Sequence, residues 1–87
     1  MYQLAAGVQV IADGSTGRAS VVNADGTVLT LNPTAHLALD ALVEHGQVAD
    51  AERVLAERFS NEPDDRIRAD LDQLLGRLLE NKVVVAS

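Results

Sequence analysis

The chain has no cysteine and no tryptophan, and Tyr2 and Phe59 are its only aromatic residues. Without cysteine there is no disulfide framework, no thiolate metal site and no cysteine nucleophile. Two aromatics make no platform on which bases could stack. Positive charge is scarce as well. Seven Lys and Arg stand against thirteen Asp and Glu, for a formal net charge of −6, which repels a phosphate backbone and argues against a nucleic-acid partner. No apolar run approaches the ~20 residues of a membrane span, and the N-terminus lacks the basic-then-apolar order of a signal peptide. The expectation is a cytoplasmic protein with no membrane partner.

What is present is aliphatic. Of the 87 residues 47% are hydrophobic, mostly Val, Leu and Ala, which suits a single domain over 1–87 with a modest core that buries about 60–65% of the unfolded surface. Residues 1–6 carry no pattern and read as a frayed lead-in. Strands are expected at 7–12, 18–22 and 27–31. The first has Val8 and Val10 on one face, and the turn-rich stretches Asp13-Gly14-Ser15-Thr16-Gly17 and Asn23-Ala24-Asp25-Gly26 join the three. Turns this short imply an antiparallel meander, because a parallel crossover needs a dozen or more residues.

At Asn32 the period of the pattern changes from two to 3.6. Asn32 can cap a helix and Pro33 suits its first position. Helices are expected at 33–45, 48–59 and 63–80. Ala35, Ala38, Leu39 and Leu42 form the first apolar stripe, and Phe59 anchors the second helix in the core. Ile67, Leu71, Leu74, Leu75, Leu78 and Leu79 line the third. Asn81 reads as a left-handed stop, and 83–85 either adds a short closing strand or packs on the helices. The fold class is α+β, winged helix-turn-helix-like, with a three-stranded sheet ahead of three helices.

Few residues suggest chemistry. His36, Asp40 and Glu44 recur at intervals of four and read as the wet face of a helix rather than a metal site. His45 reads as a helix-end cation. Asp13 to Gly17 lacks the spacing and lysine of a phosphate loop and joins strand to strand. The pairs Asp64-Asp65 and Asp70-x-Asp72 lack the loop glycine and terminal Glu of an EF-hand. No nucleophile stands at a recognisable distance from a base. No catalytic residue, metal or cofactor is expected, and the chain reads as non-catalytic. The order of sheet and helices suggests a DNA-binding regulator. However, between Glu62 and Lys82 six acids (Glu62, Asp64, Asp65, Asp70, Asp72, Glu80) face four bases (Arg66, Arg68, Arg77, Lys82), which places that reading second.

Three features taken together resemble the PqqD-like family of RiPP recognition elements. These are the meander followed by Gly26-x-Val28-x-x-Leu31-Asn32-Pro33-Thr34-Ala35, Phe59 closing the second helix, and Asp70-Leu71 with Leu74-Leu75-x-x-Leu78 in the third. The resemblance spans about 5–85 and is most specific at the Leu-Asn-Pro-Thr-Ala junction. It implies that the chain binds the leader peptide of a ribosomally made precursor and passes it to a separate enzyme. The chain looks most like the leader-binding half of a split lasso-peptide B protein, whose partner is a leader peptidase. A peptide chaperone for a radical SAM enzyme is the alternative. Val28 and Leu29 stand where members often carry aromatics, Gln47 where a Ser or Thr cap is common, and Asn81 where Gly is frequent.

The implied mechanism is strand addition. Thr27, Val28, Leu29, Thr30 and Leu31 would form an open edge that accepts the leader, and Arg66, Ile67, Asp70, Leu71, Leu74 and Arg77 of the third helix would flank it. The same edge could instead pair two copies of the chain.

Overall fold

The computed structural model describes residues 1–86. Its elements run β1 (Tyr2–Leu4), β2 (Gln9–Ala12), β3 (Ala19–Val22), β4 (Val28–Leu31), α1 (Pro33–His45), α2 (Val48–Arg58), α3 (Asp64–Glu80) and β5 (Val84–Ala86). The antiparallel sheet β2-β3-β4 precedes the helices, as the pattern predicts. The N-terminal residues, however, are not a frayed lead-in. They form β1, which pairs antiparallel with β5 in a second, two-stranded sheet. A strand of three residues carries too little periodicity to be visible in sequence. Its pairing depends on a partner at the far end of the chain.

Both hairpin turns are built by an aspartate. Asp13 Oδ1 accepts from the amide and hydroxyl of Ser15 at 3.0 and 2.7 Å, and Asp25 Oδ1 accepts from those of Thr27 at 2.9 and 2.6 Å. These bonds hold both carboxyls below their ordinary value, chiefly through the Ser15 hydroxyl for Asp13 and the Thr27 hydroxyl for Asp25. A depressed carboxyl tightens its turn at neutral pH, and the effect is lost only as pH falls below the usual carboxylate range. Thr27 thus belongs to the turn, and β4 begins one residue later.

Asn32 caps α1 by accepting from the Ala35 amide at 2.8 Å. The helix ends at Gly46, whose φ of 76° is the left-handed conformation glycine tolerates. His36, expected on a wet face, instead closes over the β2–β3 turn. Its Nδ1 lies 3.1 Å from the Gly17 carbonyl, its Nε2 3.4 Å from Asp40, and its side chain is only 17% exposed. Gln47 makes no side-chain cap for α2, and Phe59 follows that helix as its half-buried C-cap residue, packed against the core. At the end of α3 the left-handed residue is not Asn81, whose φ is −88°, but Lys82 at 59°. The Lys82 and Val83 amides donate back to the Leu79 and Leu78 carbonyls, while Asn81 Nδ2 donates to Arg77 O. This is a Schellman closure in which the asparagine works one position earlier than expected.

The core lies where α1 meets the other elements. Leu31, Leu39, Leu42 and Leu78 are its largest fully buried side chains, joined by Val21, Val83 and Val84. Strand alternation sends Ala19, Val21 and Leu31 inward, whereas Ile11 and Val28 remain largely exposed on the outer face.

One polar side chain is buried with this core. Asn23, 9% exposed, accepts the Thr27 amide at 2.9 Å and donates to the Asn81 carbonyl at 2.9 Å, tying the β3–β4 turn to the end of α3. Asn23→Ala is expected to lower stability by about 1–3 kcal/mol, read as a fall in the midpoint of thermal unfolding followed by circular dichroism. Gly76 gives the opposite expectation. It sits exposed inside α3, and a Cβ built there meets nothing within 4 Å. Gly76→Ala should therefore raise stability by about 0.5–1 kcal/mol in the same measurement.

Candidate functional site

β4 has β3 on one side and, among the described residues, no strand on the other. Which of its backbone groups face that open side follows from the register. Asn23 N–H donates to Thr27 O, so this pair is hydrogen-bonded, and the alternation of an antiparallel ladder makes Val21↔Leu29 and Ala19↔Leu31 hydrogen-bonded as well. The pairs Val22↔Val28 and Ser20↔Thr30 are then the non-bonded ones. The far ladder agrees independently: Asp13 N–H donates to Arg18 O, which turns Ser20 and Val22 toward β2. Val28 and Thr30 therefore point their N–H and C=O away from the sheet, while Leu29 and Leu31 spend theirs on β3.

Where β4 ends, a groove begins. A cleft of about 360 Å³ lies between Asn32, Thr34, Ala35 and Ala38 on one wall and Asp70, Leu71, Gln73, Leu74 and Arg77 of α3 on the other, with Leu55 of α2 also lining it. It shares Thr34, Leu55 and Asp70 with a second cavity of about 210 Å³ that continues to Phe59, Glu62, Arg66 and Ile67. The two form one groove along α3 from Arg66 to Arg77, a rise of roughly 16 Å. Five residues in an extended strand span about the same length.

All six α3 residues singled out from the sequence line this groove. They do so differently. Leu71 at 2%, Ile67 at 6% and Leu74 at 9% exposure are floor, held chiefly by the core. Asp70 and Arg77 stand exposed on the rim, and neither has an ion pair or side-chain hydrogen bond among the described residues. Arg66 reaches Glu62 at 3.7 Å, with both side chains largely in water, so the pair is weak and easily exchanged. The rim reads cation, anion, cation from Arg66 through Asp70 to Arg77.

The five candidates on the third strand separate more sharply. Val28 and Thr30 offer the open edge. Thr27 is committed to Asp25 and Asn23, Leu31 is core at 1% exposure, and Leu29 is half-buried on the inner face. Sequence reasoning missed the opposite wall. The pattern marks Ala35, Ala38 and Phe59 as core positions and gives no sign that Thr34 or Leu55 lines a groove. Only the crossing of α1 and α2 over α3 turns their outer flanks toward a groove. The small side chains of Ala35 and Ala38, which keep that wall low, are the one signal the sequence carried.

The arrangement can hold an extended peptide: unpaired main-chain donors and acceptors on β4, an aliphatic floor and charged side chains at the rim. Residues 10–84 match the family model described as Coenzyme PQQ synthesis protein D (PqqD). No curated protein and no solved structure matches the chain. The family match covers most of the sequence, and the chain belongs to the PqqD family, whose domains recognise ribosomally made precursor peptides.

Proposed function

We propose that this PqqD-family chain binds the unmodified leader of a precursor peptide as an added strand on the outer edge of β4 and delivers it to a separate enzyme. The observation that carries the reading is the direction of the Val28 and Thr30 backbone groups, which face away from β3 on the strand that leads into Asn32, where the α3 groove begins. Four such groups contribute about 0.5–1.5 kcal/mol per hydrogen bond, whereas ordering each leader residue costs about 1–2 kcal/mol. Pairing alone leaves a five-residue segment unbound. Two or three leader side chains seated against Leu71, Leu74 and Ile67, at about 1.5–3 kcal/mol each, bring the total to useful affinity. The groove therefore selects the leader and the edge aligns it.

The bound segment carries apolar residues toward the floor and opposite charges toward Asp70 and Arg77. The partner enzyme is a leader peptidase of the lasso type, with this chain as the leader-binding half of a split protein acting in the cytoplasm. Delivery raises the local concentration of precursor at that enzyme and needs no catalytic side chain here.

Fluorescence anisotropy with labelled leader peptides of candidate precursors tests the reading, with duplex DNA at the same moderate salt as control. The wild-type chain should bind the leader and not the DNA. Thr30→Pro removes an outward N–H and should weaken leader binding by about 1–2 kcal/mol while the fold is retained. Leu29→Pro removes an inward one and should disrupt the sheet, visible by circular dichroism. A folded Thr30→Pro variant with undiminished affinity would move the leader off β4.

Mass spectrometry addresses catalysis. Precursor incubated with the pure chain should keep its mass, and a cleaved or cyclised product would overturn the delivery reading.

A further inference from the structure

The groove along α3 does not end at Phe59. A further hollow of about 390 Å³ lies beyond it on the outer flank of α1, and the two meet across Thr34 and Phe59, which line both. Thr34 also lines the cleft beside Asn32, so all three hollows open onto this one exposed residue. The helical period produces the arrangement. Thr34, Ala35 and Ala38 turn one flank of α1 to the cleft, whereas Pro33, His36, Leu37 and Asp40 turn the adjacent flank to the outer hollow. Both flanks begin in the first turn of α1, one residue past the end of β4. A peptide that follows β4 toward Asn32 therefore arrives where the walls of groove and outer hollow join.

The outer hollow has an apolar wall and one unengaged charge. Leu37 and Phe59 are half-buried against the core. His36 is occupied on both sides, its Nδ1 at the Gly17 carbonyl and its Nε2 3.4 Å from Asp40. Arg58, by contrast, stands exposed in the last turn of α2 with no ion pair or side-chain hydrogen bond among the described residues. The helix dipole favours a cation at that end of α2 but leaves the guanidinium donors unused.

We propose that the leader's footprint continues over Thr34 into this hollow, where about three further residues, the length of the roughly 10 Å rise from Pro33 to Asp40, lie along α1. They place an apolar side chain on Leu37 and Phe59 and a carboxylate on Arg58. This rests on the leader-binding reading above. Continuity with the groove identifies the occupant, because a peptide already held on β4 and α3 meets the hollow at high local concentration, whereas a separate molecule would have only this small surface to hold it. Asp40 repels a carboxylate from the α1 side, which leaves Arg58 on α2 as its seat. The extension buries side chains without needing further strand pairing, and it makes an acidic residue just outside the paired segment part of what the chain selects.

The test titrates the full isotope-labelled chain, observed by NMR, with a leader peptide that binds in the anisotropy measurement and with versions of it shortened stepwise from each end. At saturation the intact leader should shift the amide signals of His36, Leu37 and Arg58 as well as those of Val28, Thr30 and Asp70. Shortening from one end should abolish the first set while the second persists. Arg58→Glu, checked for folding by circular dichroism, should bind the intact leader at least about fivefold more weakly and that shortened leader within about twofold of wild type. Unmoved His36, Leu37 and Arg58 signals at saturation would overturn the proposal whatever Arg58→Glu does to affinity, since such a loss would be repulsion at a distance. Equal effects of Arg58→Glu on intact and shortened leader would overturn it as well. Failure of the wild-type chain to bind any leader is a separate result: it strikes the groove first and removes this extension with it.

Discussion

The carboxamide of Asn23 joins the two halves of this protein. Its oxygen takes the Thr27 amide and so shapes the entry to β4, while its nitrogen reaches the Asn81 carbonyl at the end of α3. The bond spans 58 residues of sequence. Sheet and helices could otherwise slide across an aliphatic interface of Val, Leu and Ala, whose dispersion contacts are many but non-directional. A directional bond in a desolvated place sets one register, and an unpaired partner there would cost more than the bond itself contributes. The bond fixes where the β3–β4 turn sits against the end of α3.

Strand addition requires an edge that the protein keeps open yet protects from self-association. β4 meets both demands. It is four residues long, so only Val28 and Thr30 offer backbone groups, and Pro33, one residue beyond Asn32, cannot extend the ladder. A short edge binds weakly by itself.

The small size of the domain limits what its surfaces can offer. A chain of 87 residues has little interior to spare, and β4 is an edge strand whose Val28 and Thr30 stay exposed. The acidic surface limits misuse of that edge by like molecules.

Much of this protein could be read from the sequence. The Asn32 cap, Pro33 and the 3.6-residue stripe predicted α1 over its observed span, and the Asp-Gly turns predicted the meander, because each is a local signal carried by adjacent residues. The aliphatic stripe of α3 likewise placed Leu71 and Leu74 facing inward. Other features needed the fold. β1 exists because β5 comes to it, and His36 is half-buried because the Gly17 turn lies across α1. Thr34, Leu55 and Phe59 line a groove because three helices cross there. Which strand residues face outward was also beyond the sequence: alternation sorts side chains between faces, but only the hydrogen-bonded register assigns the Thr30 N–H to the open edge and the Leu29 N–H to β3. Local chemistry determines the elements. Contacts between residues far apart in sequence determine which of their surfaces remain free to bind.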